Sequence, residues 1–195
     1  MVFADRTIRR PRLGALPAIA GAAVSAAIFF TGLAAAASSS TPSDTTAALA
    51  TTVGVIESEL TQLADGRAKL KSALSGMAAC VVSPSSAARQ LDAVIANRAG
   101  IARQLGTLHA PTAEAAHLEA LLQDALGHSL AADRHYRDWV FSLRTRPRCS
   151  TTANADLAAA QREDLLATAA KRTFVAAFNP LARRLHLGTW TAAQL

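Results

Sequence analysis

Glu114 and His117 make a Glu-x-x-His pair, and Arg67 and Arg98 each interrupt an otherwise apolar helical stripe. These are the residues whose types and spacing could do chemistry. A Glu-x-x-His on each of two helices, with a Glu from each of two others, builds a di-iron centre in ferritin-like bundles. Here the second motif is missing, and the fourth helical stretch has no histidine before Asn179. A first-turn Glu114 is also explained by its favourable interaction with the helix dipole. His117, His128 and His135, spaced by 11 and 7 residues, share one stripe. Their separations along a helix, roughly 16 and 10 Å, are too long for one metal. Asp124 and His128 stand at i and i+4, half of a site or an ordinary side-chain pair. Glu114, His117, Asp124 and His128 are therefore the only candidate ligands, and they complete no metal set. No cofactor is expected.

The arginines are less ordinary. Arg67 lies in the series Leu49, Val53, Ile56, Leu60, Leu63, Arg67, Leu70, Leu74, Met77, and Arg98 in Ala87, Leu91, Val94, Arg98, Ile101, Leu105, Leu108. Both series step by 4 and 3, the heptad signature of a buried seam. A turn centred near residue 83 would bring the two arginines to one level. Folding the next helix back near residue 110 would bring Asp124 there as partner, since a buried charge needs one. Arg67, Arg98 and Asp124 are thus a candidate polar layer, structural or anion-binding. No nucleophile elbow, phosphate-cradling glycine loop or His-Glu-x-x-His is present, so no catalytic residue is assigned.

Four helical stretches must position these groups: about 44–79, about 84–108 with Ser83 as N-cap and Pro84 at the first turn, Pro111 to about Arg144, and about Thr152 to Phe178. Asn179-Pro180 is expected to stop the fourth, with a short last helix and Trp190 following. Short connections between four amphipathic helices predict an all-α, up-down-up-down four-helix bundle, with a coiled-coil homodimer as the competing arrangement. That topology would put Cys80 and Cys149 at one end, where they would form a disulfide closing about 70 residues.

The first 37 residues carry four arginines and then an uncharged apolar run from Leu13 to Ala37. As a helix it would span roughly 37 Å, against a hydrocarbon core of about 30 Å. Residues 1–37 read as a signal peptide or N-terminal membrane anchor, 38–44 as a polar linker and 45–195 as an extracytoplasmic domain, secreted or held at the cytoplasmic membrane. Without residues 1–37 the basic residues fall from 20 to 16 and the acidic from 14 to 13, so half of the net charge of +6 belongs to the leader. A nucleic-acid partner is not expected. Residues 144–195 hold 8 basic and 3 acidic groups, and Arg183, Arg184 and Trp190 are candidates for contact with a membrane surface. The function expected is that of an exported, disulfide-linked, non-enzymatic binding protein, its partner another protein or an anionic envelope component. The alternative is a ligand- or metal-binding four-helix bundle, with a catalytic role left open.

Overall fold

Three of the helices start where a side-chain oxygen accepts a hydrogen bond from a backbone N–H that the helix itself leaves free. Ser83 accepts from Ser86 N at 3.2 Å, Thr112 from Ala115 N at 3.1 Å and Asn154 from Leu157 N at 3.0 Å. In the computed structural model, which describes residues 42–146 and 151–195, the helices are α1 (Pro42–Ala78), α2 (Pro84–Leu105), α3 (Ala113–Ser142) and α4 (Ala155–Arg184). A 3-10 turn, Leu143–Thr145, prolongs α3. The expected export segment 1–37 and Cys149, hence the expected disulfide, lie outside the described residues. Pro42, Ser43 and Asp44, read from sequence as linker, are the first turn of α1.

α1 ends at a left-handed residue, Cys80 with φ of 62°. The next two N–H groups, of Val81 and Val82, return to Gly76 O at 2.8 and 3.0 Å. This closes orphan carbonyls of the last turn in the manner of a Schellman cap. Gly76 is required there, because a Cβ would stand 2.7 Å from Val82 Cγ2.

The fourth helix corrects the sequence reading. It does not stop at Asn179-Pro180 but runs through Pro180 to Arg184, and no short last helix follows. Phe178, Leu181 and Ala182 are all buried, so packing on both sides of the proline outweighs the lost N–H bond. The Asn179 side chain is used elsewhere. Its amide donates to Trp190 O and its carbonyl accepts from Trp190 N, both at 2.9 Å. That clasp, with Gly188 N donating to Glu57 Oε1 at 2.8 Å, lays residues 186–195 as a strap against α4 and α1.

The four helices pack on one another, α1 on α2, α2 on α3 and α3 on α4, with a lesser contact of α1 on α3. Two apolar clusters form the interior. The larger holds Val53, Ile56, Leu60 and Leu63 of α1, Ile101 and Leu105 of α2, Leu118, Leu122 and Leu126 of α3, and Phe174 and Phe178 of α4, with Leu195 of the strap. Each such side chain contributes roughly 1.5–3 kcal/mol by leaving water. The Phe174 and Phe178 rings lie 5.4 Å apart. The smaller cluster holds Ala73, Met77, Ala87, Ala88, Leu91, Trp139, Val140 and Leu143. On every helix the residues between the two clusters include a charge: Arg67, Arg98, Asp133, Asp164 and Lys171.

Candidate functional site

The charged layer is built by the same heptads that build the core. In α4 the seam is Ala160, Asp164, Ala167, Lys171, Phe174, Phe178 and Leu181, again stepping by 4 and 3. In α3 a second stripe, Glu119, Leu126, Asp133 and Val140, repeats every seven residues beside the expected one, and all four are buried. Where neighbouring helices pack over a heptad position it is buried even when its residue is charged, and Arg98, Asp133 and Lys171 are carried into the interior at 2%, 1% and 5% exposure.

Arg98 pairs with Asp133, Nη1 to Oδ2. The expected partner, Asp124, is instead exposed, nine residues or about 13 Å earlier on α3, where its carboxylate stands 4.0 Å from His128 Nε2. The reason is the register of the two helices, set by the non-helical residues 106–112, which a fold centred at residue 110 underestimates. Arg67 and Arg98 are also not level. Gln62 stands opposite Asn97, with Asn97 Nδ2 donating to Gln62 Oε1 at 3.5 Å. Asn97 also lies beside Gly66, so Arg67 is displaced along α1 by about four residues, roughly 6 Å, and is only half-buried.

Lys171 adds a second cation to the buried layer. Among the described residues it makes no hydrogen bond or ion pair. Burial foremost, and then the nearby positive charges of Arg98 and Arg67, push its ammonium down to about 8, against the pull of Asp164 and Asp133. Burial likewise pushes the Asp133 carboxyl up, and Arg98 and Lys171 draw it partway back. The Tyr136 hydroxyl is raised by burial and by Asp164 and Asp133. Arg98 Nε and Asp133 Oδ1 are buried without a hydrogen-bond partner among the described residues. The cavity beside Arg98, Ser129, Lys171 and Leu195 measures about 10 Å³, no more than one water. The closed layer therefore has no room for an organic ligand.

Arg67 opens onto space of another order. A hollow of about 330 Å³ is lined by Arg67, Leu70, Lys71, Leu74 and Ser75 of α1, Tyr136 of α3 and Asp164 of α4. A second, of about 460 Å³, shares Arg67 and Lys71 and is bounded by Ala193 and Gln194 of the strap. Together they make a groove in the size range of small-molecule sites. Among the described residues neither Arg67 nor Lys71 has an ion-pair partner, whereas Lys69, on another face of α1, pairs with Asp65 at 2.6 Å.

The other sequence candidates are placed apart from this groove. Glu114 Oε1 accepts from Arg184 Nη2 at 2.6 Å, so the expected metal ligand and the expected membrane residue form one exposed ion pair tying α3 to α4. His117 and Arg183 are exposed, and Trp190 is half-buried against the larger cluster. His128 Nδ1 meets Glu163 Oε2 at 2.8 Å, with Asp124 on the ring's other nitrogen, so the two carboxylates address opposite edges of the ring. Among the described residues no three His, Cys, Asp or Glu side chains gather around one point, and no helix is long and apolar enough to cross a membrane. Sequence reading missed Asp133, Asp164 and Lys171 as members of the layer. The 4-and-3 spacing through Asp164 and Lys171, and the repeat of seven through Asp133, are the signals that find them. Compared with protein-family descriptions, with characterised proteins and with solved structures, the chain matches none.

Proposed function

We propose that this chain is an exported, disulfide-linked, up-down-up-down helical bundle that binds an anionic component of the cell envelope without transforming it. The observation that carries the binding reading is the groove at Arg67 and Lys71, whose two cations have no ion-pair partner among the described residues. The topology is supported by the pairwise packing of consecutive helices and by a core to which both α1 and α4 contribute. In that topology Cys80, just past α1, and Cys149, between the 3-10 turn and α4, share one end, and an oxidising compartment joins them. The leader at residues 1–37 supports the extracytoplasmic address.

The test is co-sedimentation of the full chain with isolated envelopes. Binding is expected at low salt, is expected to fall as added salt shortens the Debye length from about 10 Å towards about 3 Å, and is expected to drop severalfold in Arg67→Gln/Lys71→Gln. Equal sedimentation of the two forms at every salt concentration defeats the groove as the site. Fractionation with N-terminal sequencing of the native product checks the address.

A further inference from the structure

Resting on the anion-binding reading above, we propose that the ligand of the groove is a single-chain amphiphile, an acyl or alkyl chain carrying one carboxylate or phosphate head. The lining falls into two chemistries. Arg67 and Lys71 stand one turn apart on α1 and border both hollows, so a head group at their junction meets two cations at once. Asp164 across the groove leaves an excess of one positive charge, which selects an anion over a zwitterion or a cation. The rest of the first hollow is Leu70, Leu74 and the Tyr136 ring, a surface that an inorganic anion or a sugar would leave unused. From Ala64 to Ser75 the lining residues follow α1 for about 16 Å. Two half-buried leucines beside two cations without an ion-pair partner among the described residues describe a head with a tail attached.

The groove stays open for a physical reason. α1 makes its extensive contact with α2, less with α3, and almost none at backbone level with α4. The strap fills the α1–α4 space only as far as Ala193, Gln194 and Leu195. Beyond it, Leu70 and Leu74 pack on the margin of the smaller cluster and stay half-buried, facing the hollow opposite Tyr136 and Asp164.

The experiment is displacement of a fluorescent dansyl fatty acid from the full chain. Competitors are dodecanoate, dodecyl phosphate, the uncharged dodecanol, and the heads alone as acetate and inorganic phosphate. Both anionic amphiphiles are expected to displace the probe, with dodecanol and the free heads about tenfold weaker or worse. Arg67→Gln/Lys71→Gln is expected to lose about tenfold for the anionic amphiphiles and nothing for dodecanol. The two anionic arms separate a free fatty acid from a phospholipid-type head. Equal competition by dodecanol, or probe binding unaltered by the double substitution, overturns the proposal. So does a dimer, measured by ultracentrifugation, that the double substitution dissolves, since the groove would then be the seat of a second copy. If envelope binding persists and depends on Arg67 and Lys71 while no amphiphile binds, the amphiphile is wrong and the anionic partner stands. If neither binds, both readings fall together.

Discussion

Arg98 and Arg67 occupy the same kind of position in the heptad pattern and meet opposite fates. Arg98 lies on α2, which packs against α1 on one side and α3 on the other, and it is sealed at 2% exposure against Asp133. Arg67 lies on α1 where α4 does not close over it, and it faces a groove of several hundred cubic ångströms. A polar residue in a seam is thus not one kind of feature. Its role depends on whether a neighbouring helix caps that level of the stack. The sealed arginine is a structural element whose energetics are those of a buried ion pair. The open one keeps its charge available to solvent and ligand. If that contrast is right, the same substitution chemistry must act on stability at one level and on binding at the other.

The largest expected effect is at Asp133. Asp133→Ala leaves Arg98 buried without its counter-charge and is expected to cost about 3–5 kcal/mol in urea unfolding. Arg98→Met combined with Asp133→Leu is expected to restore most of that loss, because a buried pair replaced by apolar side chains is often neutral or stabilising. A loss below about 1 kcal/mol in Asp133→Ala would mean that water reaches the layer and that the two arginines do not differ as described.

The next effect follows from Lys171, the second buried cation. Its folded-state value lies near 8, below the 10.5 of an unfolded lysine. Between those values the unfolded chain binds more protons, so stability rises with pH. The cost of burying the charge is present in full below pH 8. It is relieved on going towards pH 10, by up to about 3 kcal/mol at about 1.4 kcal/mol per pH unit. Above pH 10 the raised Tyr136 hydroxyl works in the opposite direction and ends the rise. Lys171→Met is expected to be more stable than the parent at pH 7 and to show no climb between pH 8 and 10. A parent protein whose melting temperature is flat across that interval would place the Lys171 ammonium in water.

A smaller effect tests the strap that bounds the groove on one side. Asn179→Ala removes both of its bonds to the Trp190 backbone. It is expected to cost about 1–3 kcal/mol and to raise hydrogen exchange at Gly188 and Trp190 before any change at Arg98. Leu195 at the end of the strap also lines the small cavity beside Arg98 and Lys171, so an equal rise in exchange at the Arg98 level would show that the strap seals the closed layer as much as it bounds the groove.

How much of this was legible in the sequence depends on the length over which a rule acts. The 4-and-3 spacing acts within one helix, and it placed Val53, Ile56, Leu60 and Leu91 in the core and Arg98 in a seam. Ser83 as a cap was readable because capping is a contact over three residues. The partner of Arg98 was not, because helix-to-helix register adds the errors of every connection. The non-helical residues 106–112 shift it by nine residues, about two and a half turns. Pro180 misled for a different reason. A local rule predicted a stop, while the burial of Phe178, Leu181 and Ala182, visible only in three dimensions, held the helix together. The groove was illegible for a third reason. An open site is the failure of α1 and α4 to meet, and no residue encodes a missing contact.

Arg67→Leu is the substitution with the smallest expected effect on stability, and it bears most directly on the comparison. Arg67 is half-buried and has no ion-pair partner among the described residues, so its removal forfeits no buried pair. Leucine in a seam flanked by Leu63 and Leu70 adds apolar contact. Stability is therefore expected to stay within about 0.5 kcal/mol of the parent or to rise slightly. Binding of an anion at the groove is expected to fall in the same protein, because one of the two cations at its junction is gone. Binding that is unchanged by Arg67→Leu while the melting temperature climbs would identify Arg67 as a mispaired core residue rather than a ligand contact. The open and closed arginines would then differ in exposure alone. Loss of binding at constant stability separates them in kind, since the equivalent change at Arg98, by stranding Asp133, is expected to cost several kcal/mol.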